Sequence, residues 1–175
     1  MAAMTQYAAF LRGVNVGGVN LKMAEVAKAF EEAGFTNVRT ILASGNVLLE
    51  SSGGVDAVRK KAEKALRDAF GYDAWVLAYD LKTVAAISKA FPFEREVEGK
   101  HSYITFVTDK DVLDELAALG KEAGPDEKVK RGKGVIYWQC PKGTLGTTIG
   151  KTMGKKRYKS STTTRNLRTV EKVLR

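Results

Sequence analysis

The stretch Val38-Arg39-Thr40-Ile41-Leu42-Ala43-Ser44-Gly45-Asn46-Val47-Leu48-Leu49 decides the fold. Val38–Leu42 and Val47–Leu49 are short strand-like runs rich in β-branched and aliphatic residues. Between them, Gly45 or Asn46 can take the positive φ that a tight hairpin requires. Upstream, Met23, Val26, Ala27, Phe30 and Ala33 recur at helical spacing, and Gly34 supplies the stop. Asn20 suits the N-cap, where its side chain accepts a free backbone N–H of the first turn. Downstream, Val55, Val58, Ala62, Ala65, Leu66 and Ala69 form a second helical stripe, with Arg59, Lys60, Lys61, Lys64 and Arg67 largely off it. Further out lie two apolar strands, Gln6–Leu11 and Ala74–Tyr79. The order is β-α-β-β-α-β, the split βαβ or ferredoxin-like pattern. It predicts an antiparallel sheet in the order 4-1-3-2 with two helices on one face.

The second half is a weaker echo. A helix over Asp80–Phe91 is broken by Pro92. A strand over His101–Thr108 and a helix over Asp111–Leu119 follow. Lys128–Arg131 and Val135–Gln139 pair through Gly132-Lys133-Gly134, and helices are expected around 146–155 and 164–174. The fold class is therefore α+β: two ferredoxin-like lobes packed together, residues 1–80 and 81–175, with antiparallel sheets. In 74–79 both alternating faces are apolar, whereas a sheet open to water on one side alternates. Both faces need covering, by the lobe's own helices and by the other lobe or a second subunit, so an oligomeric scaffold is one alternative.

The chain has 175 residues, 44% hydrophobic and 28% charged, which argues against global disorder. One cysteine excludes a disulfide scaffold. No apolar run reaches the roughly 20 residues of a membrane span, and the N-terminus lacks a basic signal-peptide region. A cytoplasmic protein with no membrane partner is expected. The net charge of +9 is uneven: residues 128–175 carry +13 and residues 1–127 carry −4. Such a basic quarter suits a polyanion, or docking on the acidic body.

In a ferredoxin-like sheet the first two strands run the same way, so the loop after the first and the turn after the second open at one end. That gathers Arg12, Asn15, Gly17, Gly18 and Asn20 with Ser44, Gly45 and Asn46. Exposed N–H groups and a guanidinium suit a phosphate or carboxylate. The plainer account is that tight turns require Gly and Asn in any case.

Three stretches, FLRGVNVGGVNLKMAEV, FTNVRTILASGNVLLES and TTTRNLRTVEKVL, resemble the bacterial family catalogued as domain of unknown function 1697. The resemblance implies two fused ferredoxin-like lobes and brings no reaction, cofactor or partner. The family's motif positions fall on Arg12, Gly13, Asn15, Gly17, Gly18, Ser44, Gly45, Asn46, Thr164, Arg165 and Asn166. Ala43 stands where glutamine is expected and Leu167 where tryptophan is. Motif residues at both ends of the chain suggest that Thr164, Arg165 and Asn166 open the last helix, with Arg165 and Arg12 facing one anion.

Other motifs fail. In GTLGTTIGKTMGKK, Leu145 occupies the position of the first P-loop glycine. Lys151, Lys155, Lys156, Arg157 and Lys159 then form either a basic patch for a nucleic-acid backbone or a solvated face. GVNVGG lacks the GxGxxG spacing. NVLLES carries no aromatic for base stacking. His101 and Cys140, one of each residue type, make no metal set. Only a contact made by the fold would pair them as base and nucleophile. The expected function is binding of a phosphate-bearing ligand, a nucleotide or nucleic acid. The alternatives are an enzyme acting on a small phosphorylated or carboxylated substrate, and the oligomeric scaffold.

Overall fold

A computed structural model of the chain describes residues 3–12, 19–42, 45–95, 97–122, 127–141, 158 and 161–175. The first lobe runs β1 (Thr5–Leu11), α1 (Met23–Glu32), β2 (Thr36–Ile41), β3 (Asn46–Ser51), α2 (Val55–Phe70) and β4 (Val76–Asp80). Its sheet is antiparallel in the order β2-β3-β1-β4, the order the periodicity predicts. Tyr7, Ala9 and Leu11 of β1 point into a core with Val26 and Phe30 of α1 and Val58, Ala62 and Leu66 of α2. Burying each large aliphatic or aromatic side chain there contributes about 1.5–3 kcal/mol. Ala8, Phe10 and Leu77, on the other face, are buried as well.

After β4 comes α3 (Leu81–Lys89). The second lobe then runs β5 (Lys100–Val107), α4 (Lys110–Ala118), β6 (Lys128–Arg131), β7 (Val135–Pro141), β8 (Thr162–Asn166) and α5 (Leu167–Val173). Its sheet has the order β6-β7-β5-β8. The chain divides into two compact units, Met1–Ala85 with Lys172–Arg175, and Ala86–Glu171. In the first unit Arg39 donates to the carbonyl of Arg175 (3.2 Å).

The two sheets agree residue by residue. Leu11 pairs with Val76 as Val107 pairs with Thr162, and Phe10 pairs with Asn46 as Phe106 pairs with Val135. Leu11 N–H donates to the Gly45 carbonyl (2.8 Å), and Val107 N–H donates to that of Gly134 (3.0 Å). Arg12 N–H donates to the Trp75 carbonyl (2.9 Å), and Thr108 N–H donates to that of Ser161 (2.9 Å). Gly45 and Gly134 both sit at positive φ (88° and 70°), which an L side chain adopts only under strain. The echo that is faint in sequence is close in backbone geometry.

Two expectations need correction. Thr164, Arg165 and Asn166 do not open the last helix; they form the end of β8. The run Thr162-Thr163-Thr164 is β-branched and packs well on a pleated surface. It supplies the fourth strand, with Thr105 and Thr164 opposite each other and their hydroxyls 2.8 Å apart. Asn20 is not the N-cap of α1 either. The helix starts at Met23 with Lys22 in the cap position and no side-chain cap bond. The helix expected around 146–155 lies outside the described residues.

Candidate functional site

The end of β1 carries the strongest candidate. Arg12 follows Leu11 directly, held by its own N–H on Trp75, one residue before β4. Gly45 reaches the same place, since its carbonyl receives the Leu11 N–H. Arg12, Gly45 and Asn46 are thus brought together at one end of the sheet. The Arg12 side chain is half-buried, and its Nε is shut off from water with no hydrogen-bond partner among the described residues. Loss of hydration pushes the guanidinium below its ordinary pKa. A buried, unsatisfied polar atom costs about 1–3 kcal/mol, more when charged, so this position carries a penalty that an anion would relieve.

The neighbouring candidates divide. Asn46 is buried and donates from Nδ2 to the Ile41 carbonyl (2.8 Å), which closes the hairpin. Gly45 is buried and gives its carbonyl to β1. Both are fold-makers. Asn20 is exposed on the approach to α1. Asn15, Gly17, Gly18 and Ser44 lie outside the described residues, as do Lys151, Lys155, Lys156, Arg157 and Lys159. Arg165 belongs to the second unit and is buried, with Nη1 donating to Thr163 Oγ1 (2.7 Å) and the Thr164 carbonyl (3.0 Å). Asn166 Oδ1 accepts from the Arg168 N–H (2.9 Å).

The second lobe shows what this end of the sheet looks like without a long loop. Two residues, Thr108 and Asp109, join β5 to α4, and Asp109 caps the helix through Asp111 N–H (2.8 Å) and Val112 N–H (3.2 Å). In the first lobe eleven residues, 12–22, span the same connection. That is about twice the usual length of a connection in a compact domain, and binding residues are disproportionately carried on such segments. Position 12 holds Arg where its counterpart holds Thr, with the same backbone bond. The guanidinium is therefore not required for the strand pairing.

His101 and Cys140 are cross-strand neighbours, in register on β5 and β7. Such pairs have Cβ atoms about 4.5–5.5 Å apart. Cys140 is 4% exposed and packs in an apolar cluster with Trp138 and Tyr158, which suits a core thiol rather than a nucleophile. Sequence spacing alone could not place these two side by side, because the register comes only with the sheet. Among the described residues no group of three His, Cys, Asp or Glu could hold a metal ion, and no helix is long and apolar enough to cross a membrane.

The fold is similar to that of a conserved bacterial protein from Streptococcus pneumoniae, with a TM-score of 0.78 and 25% identity over 98% of this chain and 97% of that one. No curated protein matches the chain. A family model matches residues 4–137, which include Arg12, the hairpin, β5 and the first three residues of β7. The chain belongs to the family described as Protein of unknown function (DUF1697).

Proposed function

We propose that the protein binds a phosphate-bearing ligand, a nucleotide or nucleic acid, at the C-terminal end of β1, with Arg12 as the anion contact. The observation that carries this reading is the desolvated guanidinium whose Nε has no partner among the described residues. An oxyanion supplies two or more acceptors in the geometry a guanidinium presents. The long connection after Arg12, rich in Gly and Asn and matched by only two residues in the second lobe, supports it. Asn15, Gly17, Gly18 and Asn20 would then contribute from that loop, and Ser44 from the turn.

Arg12→Thr tests the reading, because Thr108 already serves at the equivalent position. Nucleoside mono-, di- and triphosphates and a short single strand would be titrated by calorimetry near 50 mM salt, where phosphate contacts are strong. The variant should lose about tenfold or more in affinity, the value of a charge-assisted contact, with Tm nearly unchanged. A steep fall with added salt marks the nucleic acid, and a shallow one marks the nucleotide. Equal binding by variant and wild type, or no binding of any of these probes, overturns it.

A further inference from the structure

At the opposite end of the second lobe's sheet lies a hollow of about 110 Å³, lined by Arg95, Lys100, His101, Ser102, Asn166 and Arg168 among others, with no carboxylate among the described lining residues. At roughly 30 Å³ per water, that is the room of three or four waters, or of one phosphate group. We propose that this hollow binds the phosphate group of a small molecule, gripped by Arg95, Lys100 and Arg168.

Arg95 is already fixed in place. It donates to the Ser88 carbonyl (2.8 Å) and Ser88 Oγ (3.0 Å) and lies over the Phe91 ring (5.8 Å). Glu171 lies 3.5 Å from its guanidinium and balances part of that charge, and Lys100 and Arg168 line the hollow beside it. Ser102 is buried and its Oγ accepts from Gln139 Nε2 (2.9 Å), so its own proton remains to donate. Asn166 uses its Oδ1 on the Arg168 N–H, which leaves its amide nitrogen as the donor. The donors of this site are side chains; the Arg168 N–H, second in α5, is already taken by Asn166.

The first lobe acts as an internal control. By sheet register, Lys100, His101, Ser102, Asn166 and Arg168 correspond to Met4, Thr5, Gln6, Asp80 and Lys82. Asp80 Oδ1 accepts from the N–H three residues on, that of Thr83 (2.7 Å), and Asn166 Oδ1 from the N–H two residues on, that of Arg168, so each side chain closes its strand-to-helix turn. The same fold is thus built once with a carboxylate and one cation at this corner, and once with a neutral amide and two cations. The strand-to-helix turn does not require the added positive charge. A bound anion gives it a purpose.

The test is a ¹H–¹⁵N NMR titration of the whole labelled chain with inorganic phosphate, against sodium chloride at matched ionic strength. Saturable shifts are expected at the amides of Ser102, Asn166, Leu167 and Arg168. Asn166→Asp keeps the turn acceptor but restores the first lobe's charge, so it should weaken phosphate by about tenfold or more while the spectrum stays folded. Arg168→Gln should weaken it several-fold. Arg12→Thr should leave these shifts in place, which separates this hollow from the site on the first lobe. Shifts that do not saturate, that chloride reproduces, or that Asn166→Asp leaves unchanged overturn the proposal. So does acetate binding as tightly as phosphate.

Discussion

Glu63 is predicted to hold the Arg12 site in place from beneath. It lies on α2, 6% exposed, and gives one carboxylate oxygen to Arg59 (3.0 Å) and the other to the Val76 N–H (3.0 Å). Val76 opens β4, and its neighbour Trp75 carries the carbonyl that receives the Arg12 N–H. The two contacts differ in weight. The Arg59 pair is a helical i,i+4 pair with a partner 35% exposed, worth about 0.3–0.5 kcal/mol. The Val76 contact is buried and charge-assisted, and removing its acceptor strands a backbone N–H out of water, at about 2–3 kcal/mol. Glu63→Ala should therefore lower Tm by roughly 5–10 °C, at about 2–4 °C per kcal/mol for a chain of this size. Glu63→Gln keeps an acceptor and should cost about 1 kcal/mol, and Arg59→Ala should cost less than that. Thermal and urea unfolding by circular dichroism measure the losses, and hydrogen exchange at the Val76 amide locates them. If Glu63→Ala costs under about 1 kcal/mol, or Val76 exchange is unchanged, the carboxylate does not hold β4 and the reasoning fails.

Tyr72 packs against the first lobe's core with a hydroxyl that is buried and has no partner among the described residues, so Tyr72→Phe should be neutral or stabilising in urea unfolding, and a cost above about 1 kcal/mol would reveal a partner. Burial pushes the Tyr72 hydroxyl up to about 12 and raises that of Tyr79 as well. Because the unfolded hydroxyls ionise near pH 10, their contribution to stability is complete below that pH and is lost as pH rises through the folded values. Absorbance at 295 nm should show these two ionising only with alkaline unfolding, and ionisation near pH 10 with intact circular dichroism would contradict it. A Cβ at Gly132 would fall on the ring of Tyr137 and 2.9 Å from Val135 Cγ2. Tyr137 is tied by its hydroxyl to the Ile87 carbonyl (2.6 Å), so Gly132→Ala should destabilise by about 1–3 kcal/mol, and a variant as stable as wild type would mean the ring moves freely.

The order of elements in the first lobe was legible from residue pattern because each signal is local. The 3.6-residue spacing of Val26 and Phe30 or of Val58, Ala62 and Leu66, and the glycine in the turn after β2, each act within a few residues of chain. The topology then brought Arg12 to the same end of the sheet as Gly45 and Asn46, since the first two strands of a split βαβ unit run the same way. Local propensity failed where partners decide. Thr164-Arg165-Asn166 precedes a helix-like run, yet it is a strand because β5 presents an open edge to a β-branched segment, a long-range fact. Asn20 has the chemistry of a cap, but the position of the helix on the core starts it at Met23.

The roles of individual polar groups are likewise tertiary. Asn46 and Arg12 are equally polar in the sequence, but the fold commits one amide to Ile41 and leaves one guanidinium nitrogen buried without a partner among the described residues. The register match of the two sheets, and the hollow it exposes by contrast, needs both sheets in hand, because the corresponding residues differ: Arg12 with Thr108, and Asp80 with Asn166. By itself the sequence determined which segments of the first lobe become helix or strand and the order in which the first sheet is laid down. The tertiary structure decided which charges lose their water and which find a partner, because desolvation and hydrogen-bond satisfaction depend on atoms far apart in the chain.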